Sequence, residues 1–304
     1  MNISGKPSLL AVHIPPGGGP HVYWRILIRQ SFIAGTATSI QELEYLDTTG
    51  TDLASGGTAS ASSVTGANTA DKAFDNNHST VWQSGGIPNA GAPEWLRYQF
   101  SSAVNPVAIR LTLNEPLGNS QAPADFDVQY SDNGSTWTTV KTFTAVSWLG
   151  LLPTLSFSLV TGPGYINWRA RVNGTQSGAA TSCASLEMHE TVAGADVTSS
   201  DQRHGMYSDY FSPPYYGFTA FDRNAGTFWA AANAPPGNWL GNSMGKQVTI
   251  VEIAWQARPD ASYTQSPTTV TMQATNDGAT WVNIGTATFG TWTSAGQKQT
   301  VAVI

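Results

Sequence analysis

Apolar and polar residues alternate along this chain with a period of two, in short runs separated by glycine, serine, threonine and asparagine. Trp24, Ile26 and Ile28 fall on one side of such a run, with Arg25 and Arg29 on the other. Leu43 and Tyr45 continue the pattern, as do Val107, Ile109, Leu111 and Leu113, then Phe126, Val128 and Tyr130. Leu155 to Val160 makes a last apolar run. No stretch keeps a helical period. About seven alternating strands in about 140 residues predict a β-sandwich, in which each strand buries one face.

The pattern is written twice. Tyr130-Ser-Asp-Asn-Gly-Ser-Thr-Trp137 returns as Ala274-Thr-Asn-Asp-Gly-Ala-Thr-Trp281, a spacing of 144 residues (281 − 137). Each copy reads as a strand, a tight Asx-Gly hairpin turn with positive φ at both turn residues, and a returning strand that opens on Trp. Trp24-Arg25 recurs as Trp168-Arg169, Trp95-Leu96 as Trp239-Leu240, Ile109 as Ile253 and Trp148 as Trp292. Ala73-Phe74-Asp75 recurs as Ala220-Phe221-Asp222. The repeat predicts two tandem domains, 21–162 and 163–304, behind an arm over 1–20. Trp24, Trp137, Trp168 and Trp281 sit at repeated strand positions and are expected in the cores.

Charge and cysteine usage narrow the function. Only 11 % of residues are charged, and the net charge is −6 with no basic run, so no electrostatic footprint for nucleic acid exists. No apolar run is long enough to span a bilayer as a helix. The single Cys183 is expected as a small buried residue. No signal-peptide pattern opens the chain, which fits maturation in a reducing cytoplasm. In the arm, Leu9, Leu10, Val12 and Ile14 precede Pro15-Pro-Gly-Gly-Gly-Pro20. That glycine run lacks the Lys-Ser/Thr of a phosphate loop and reads as a linker, with the apolar segment as an anchor.

Several motifs resemble the discoidin family, also called the coagulation-factor type C domain, and its galactose-binding-like relatives among carbohydrate-binding modules. They are Thr58-Ala-Ser-Ala-Ser-Ser63, Lys72-Ala-Phe-Asp-Asn-Asn-His-Ser-Thr-Val-Trp82, Trp95-Leu-Arg-Tyr-Gln-Phe100 and Tyr130-Ser-Asp-Asn-Gly-Ser-Thr-Trp137. The resemblance implies two tandem jelly-roll β-sandwiches, all β. Tyr23-Trp-Arg-Ile26 and Gln41-Glu-Leu-Glu44 resemble the family's closing strands, here placed first, so each unit resembles a circularly permuted domain of the kind found in phage tail and prophage proteins. The same order has a second parse, with 46–190 as one domain and 1–45 completing 191–304. Contacts of the 23–45 strands distinguish the two.

The resemblance also implies a structural calcium site at Asp75, Asn77 and Thr80, with Glu42 from the closing strand. A hard cation wants six to eight oxygens, and such a turn supplies them from side chains and backbone. The second copy keeps Asp222, Asn224 and Thr227 but has Ser185 at the Glu42 position, with Glu187 two residues on. The competing reading is that Asp75 and Asp222 only accept backbone N–H bonds and stiffen the turn. Five aromatic residues in 204–218, Tyr207, Tyr210, Phe211, Tyr215 and Tyr216, have no counterpart in the first copy and mark a contact surface, for a subunit or a glycan. Trp148 and Trp292 lie in late loops, as ligand contacts or as buried residues.

Nothing points to catalysis. The five histidines have no metal-ligand spacing, no Ser sits in a nucleophile elbow, and Asp125 and Asp127 share a solvated strand face. The expectation is a non-enzymatic phage virion protein of the tail, its fibre or the particle surface. It would be homo-oligomeric, would dock on other virion proteins and adhere to host-surface glycans, and would need no cofactor beyond calcium. The alternative is a protein whose main role is carbohydrate recognition.

Overall fold

The computed structural model describes residues 19–113, 119–148, 154–201 and 204–304. Among them regular structure is strand, with short 3-10 turns between. The arm expected over 1–20 lies outside the described residues apart from 19 and 20.

Strand β1 (His21–Ser31) is the centre of a five-stranded antiparallel sheet. It is flanked by β6 (Glu94–Val104) and β8 (Pro123–Ser131), with β4 (Thr58–Ala61) and β9 (Thr138–Phe143) at the edges. Facing it, β7 (Ala108–Thr112) runs between β3 (Glu42–Leu46) and β10 (Thr154–Ser158). A short bridge of β2 (Ser39–Ile40) to β5 (Trp82–Gln83) closes one end. Alternation does what the sequence asks of it. Trp24, Ile26, Ile28, Leu96, Phe126 and Val128 meet Leu43, Tyr45, Ile109, Leu111, Leu155 and Phe157 in one core cluster.

The plan repeats strand for strand. Strand β11 (Tyr165–Thr175) lies between β16 (Trp239–Val248) and β18 (Pro267–Thr275), with β14 (Gly205–Tyr207) and β19 (Val282–Thr288) at the edges. Opposite, β17 (Glu252–Gln256) runs between β13 (Ser185–His189) and β20 (Lys298–Ala302). The end bridge joins β12 (Ser182–Cys183) to β15 (Trp229–Ala230). Cys183 is fully buried there, and burial raises its thiol pKa well above the ordinary value. β1 pairs with β6 and β8 and β3 with β7, so the 23–45 strands meet 94–131 and 108–112.

The repeated turn departs from the expected hairpin. Gly134 and Gly278 have positive φ, but Asn133 and Asp277 do not. Instead Asn133 Oδ1 accepts the N–H groups of Ser135 and Thr136, at 2.9 and 2.8 Å, and holds a longer loop. The return strand therefore starts at Thr138, one residue past the tryptophan. Trp137 leaves the strand register and folds over the outer face, where the Arg25 guanidinium sits 4.0 Å from its ring centroid. Trp281 does the same with Arg169, also at 4.0 Å. These two rings are half-buried surface residues, not core residues as expected; Trp24 and Trp168 are core.

The two sandwiches share a buried seam. The outward side of β7 and β10 carries Arg110, Thr112, Thr154, Ser156 and Ser158, all buried. Ser156 Oγ lies 2.6 Å from Ser243 Oγ, and Ser158 N–H donates to the Asn276 carbonyl at 3.1 Å. Met206 and Trp239 join the first core cluster, and Trp281 packs against it. Within the seam Arg110 pairs with Glu44 at 3.2 Å. Gly245, at φ +75°, is required beside it, because a Cβ there would fall on the guanidinium.

Candidate functional site

The Asp75 turn gathers oxygen. A 3-10 turn over Ala70–Ala73 leads into Asn76, whose φ of +55° bends the chain back. Asp75 Oδ1 accepts the Asn77 N–H at 3.0 Å. Thr80 Oγ1 lies 2.9 Å from both Asp75 oxygens, 2.7 Å from the Asn77 carbonyl and 3.4 Å from the Lys72 carbonyl. One hydroxyl proton cannot serve four acceptors. Glu42 approaches the same place from β3, only 3 % exposed, with Oε1 buried and lacking a hydrogen-bond partner. Burial first, and the Asp75 charge second, push its carboxyl up to about 8. A buried carboxyl with one unpartnered oxygen, beside a second carboxylate and two carbonyls, is a donor set that suits a hard divalent cation. It contains only two carboxylates, and no group of three or more acidic, His or Cys residues exists among the described residues. The Asn77 side chain is spent on the Ser79 N–H, so Asn77 offers its carbonyl.

The second turn has the same backbone and a different chemistry. Asp222 accepts from Asn224 N–H at 2.8 Å and from Thr227 Oγ1 at 2.7 Å. Ser185 supplies no carboxylate, and Glu187 is taken by Lys298 Nζ at 2.6 Å. Arg223, at φ +60°, pairs with Asp196 and donates to the Thr198 carbonyl at 2.7 Å. These residues do not fit a cation; hydrogen bonding within the turn accounts for them.

The model of the F5/8 type C domain family matches residues 58–150 and 196–303, about two-thirds of the chain. The chain belongs to the F5/8 type C family. No curated protein and no solved structure matches it. Domains of this family are generally non-catalytic modules that bind carbohydrates and other ligands.

The aromatic candidates of these F5/8 type C units are mostly internal. Trp148 and Trp292 are core residues whose Nε1 groups each donate to a proline carbonyl, Pro123 and Pro267, at 2.8 Å. They have no face to offer a ligand. Tyr207 is buried under Gly217. Tyr210 packs on Tyr216, which stacks on Phe218 with centroids 5.0 Å apart. Tyr215 stacks on Phe228, itself capped by Arg258. Phe211 alone of the five projects, 67 % exposed, on a backbone pinned by its N–H to the Ala230 carbonyl.

A different surface went unnoticed in the sequence. On the outer face of the first five-stranded sheet, Ser60, Arg97, Arg25 and Gln129 form one row across β4, β6, β1 and β8. Tyr23, Trp95 and Trp137 surround it, half-buried. The signal was available: both arginines occupy outward positions of strands that the repeat places side by side.

Proposed function

We propose that this protein is a non-enzymatic adhesion protein that attaches to surface saccharides through its F5/8 type C units. The observation that carries this is the family membership of both units, joined by a seam that fixes their surfaces in one arrangement. The acidic residues that could suggest hydrolysis are engaged structurally. Asp127 binds Arg29 and accepts from Thr142 at 2.6 Å, and Asp125 caps the Ala145 N–H at 2.8 Å.

In this reading Glu42, Asp75, Thr80 and the carbonyls of Asn77 and Lys72 hold one calcium ion. The ion would supply charge neutralisation and lock the turn that leads into buried Trp82. We take each unit as a permuted form of the domain, a reading supported by matches that begin at 58 and 196 while β1 and β11, which precede them, are the central strands of their sheets. Within this proposal the chain is a virion protein of the tail, its fibre or the particle surface, a homo-oligomer docked on other virion proteins; its strand order, which resembles that of phage tail and prophage proteins, supports the reading. Immunogold labelling of particles tests the location. Adhesion of the purified protein to host cells, with competition by soluble saccharides, tests the activity. Absence of label would remove the virion role and leave saccharide recognition standing; adhesion that no saccharide competes would remove the latter.

A further inference from the structure

The row of Arg97 and Arg25 breaks a rule of sheet design. The two are directly opposite each other on β6 and β1, where like charges destabilise the pair. Among the described residues neither has a carboxylate partner, in a chain with 20 acidic residues and 14 basic ones. Arg25 Nε donates to Gln129 Oε1 at 2.7 Å and Arg97 Nε to Ser60 Oγ at 2.8 Å. These neutral partners fix the orientation of the guanidinium groups without cancelling their charge. Burial, and then the Arg97 charge, lower the Arg25 pKa to about 10. A cost of this kind persists where function requires it.

The second unit shows what the same face does when it is occupied. Arg169 repeats Arg25, down to its bond with Gln273 at 2.9 Å and its place over Trp281. There Gly241 stands opposite, so the second guanidinium is missing. Asn167 and Ser243 hold that face against the first unit, with Trp281 packed on the first core. In the first unit Tyr23 takes the place of Asn167, 144 positions on, and Arg97 the place of Gly241. At these two positions of the face, an amide that makes the seam and a glycine give way to a ring and a positive charge.

We infer that this face of the first unit, Arg25 and Arg97 framed by Tyr23, Trp95 and Trp137, binds an acidic saccharide. A uronate carboxylate suits a pair of adjacent guanidinium forks, and a pyranose ring lies against an indole or phenol face. The inference deepens the saccharide-binding proposal and rests on it.

The test is titration of the full-length protein with oligogalacturonate, hyaluronate and alginate oligomers, read by tryptophan fluorescence and calorimetry, beside their methyl-esterified forms and a panel of neutral saccharides. At least one acidic oligomer is expected to bind, with its ester about tenfold weaker or worse. Arg25→Gln, Arg97→Gln and Trp95→Ala should each weaken binding by a similar factor, and Arg97→Lys by less. Arg171→Gln, an exposed arginine of the second unit, should leave it unchanged. Failure of every acidic oligomer to bind, or binding indifferent to Arg25→Gln and Arg97→Gln, overturns the inference. So does a concentration-dependent dimer abolished by Arg97→Gln, which would assign the face to a second copy of the chain. Neutral saccharides that bind all variants equally would sink this inference and leave the adhesion proposal intact.

Discussion

Asn167 and Ser156 exchange two hydrogen bonds across the boundary between the units: Ser156 N–H donates to Asn167 Oδ1 at 3.0 Å, and Asn167 Nδ2 donates to the Ser156 carbonyl at 2.7 Å. Both residues are fully buried. A side-chain amide thus extends the β10 edge as a short mimic of a strand. Asn167→Ala would leave a donor and an acceptor of Ser156 without partners, at a cost of about 2–4 kcal/mol. Urea denaturation of the two proteins should show it as a lower midpoint. An unchanged midpoint would mean that the units meet some other way.

Gly245 gives a second, steric test of the seam. Alanine there must hold φ near +75° and displace the Arg110 guanidinium from Glu44. The expected loss exceeds about 1 kcal/mol, more than Gly→Ala costs at an open positive-φ turn such as Gly56. Thermal unfolding of the two variants side by side measures the difference.

Glu42 sets a pH and calcium dependence. Without a cation the folded carboxyl titrates near 8, against 4.5 as the ordinary value. The folded chain then holds a proton that the unfolded chain has released, so this contribution is complete below pH 4.5 and is lost as pH rises through 8. Calcium competes with that proton, so its stabilisation should grow across the same window. At a hundred times its Kd the ion adds about 2.7 kcal/mol. Glu42→Gln should flatten the pH slope and erase the calcium response, while Ser185→Ala, at the matching position on β13 of the second unit, should change neither. Scanning calorimetry with and without calcium at pH 5 and pH 8 decides it; equal calcium shifts in parent and Glu42→Gln would contradict the assignment.

Trp148→Ala and Trp292→Ala should behave as core truncations. Each removes a fully buried indole, at about 3–5 kcal/mol. Saccharide affinity, measured where the variants remain folded, should not move. A selective loss of binding with full stability would return these residues to the surface.

Much of this was legible in the sequence because alternation and repetition are local signals. Trp24, Ile26 and Ile28 point inward for the same reason as Trp168, Ala170 and Val172: strand period two leaves them no other face. What was not legible depended on contacts made elsewhere. Trp137 and Trp281 read as strand residues, yet an Asx-capped loop over 132–137 and 276–281, in place of a tight two-residue turn, puts them under arginines. The aromatic loop over 204–218 read as a contact surface because its partners within the unit, Gly217, Phe218 and Phe228, are set by the fold. Arg110 and Ser156 point away from the core of the first unit, but the outward side of that sheet is the inside of the seam, which no local pattern announces.

The most direct test of the account is a glycan array probed with the intact protein in calcium buffer, followed by recovery of the retained saccharides. Selective retention of one saccharide class, recovered unmodified, is the expected result. No retention on any saccharide, or recovery of cleaved product, would contradict a non-enzymatic adhesion protein.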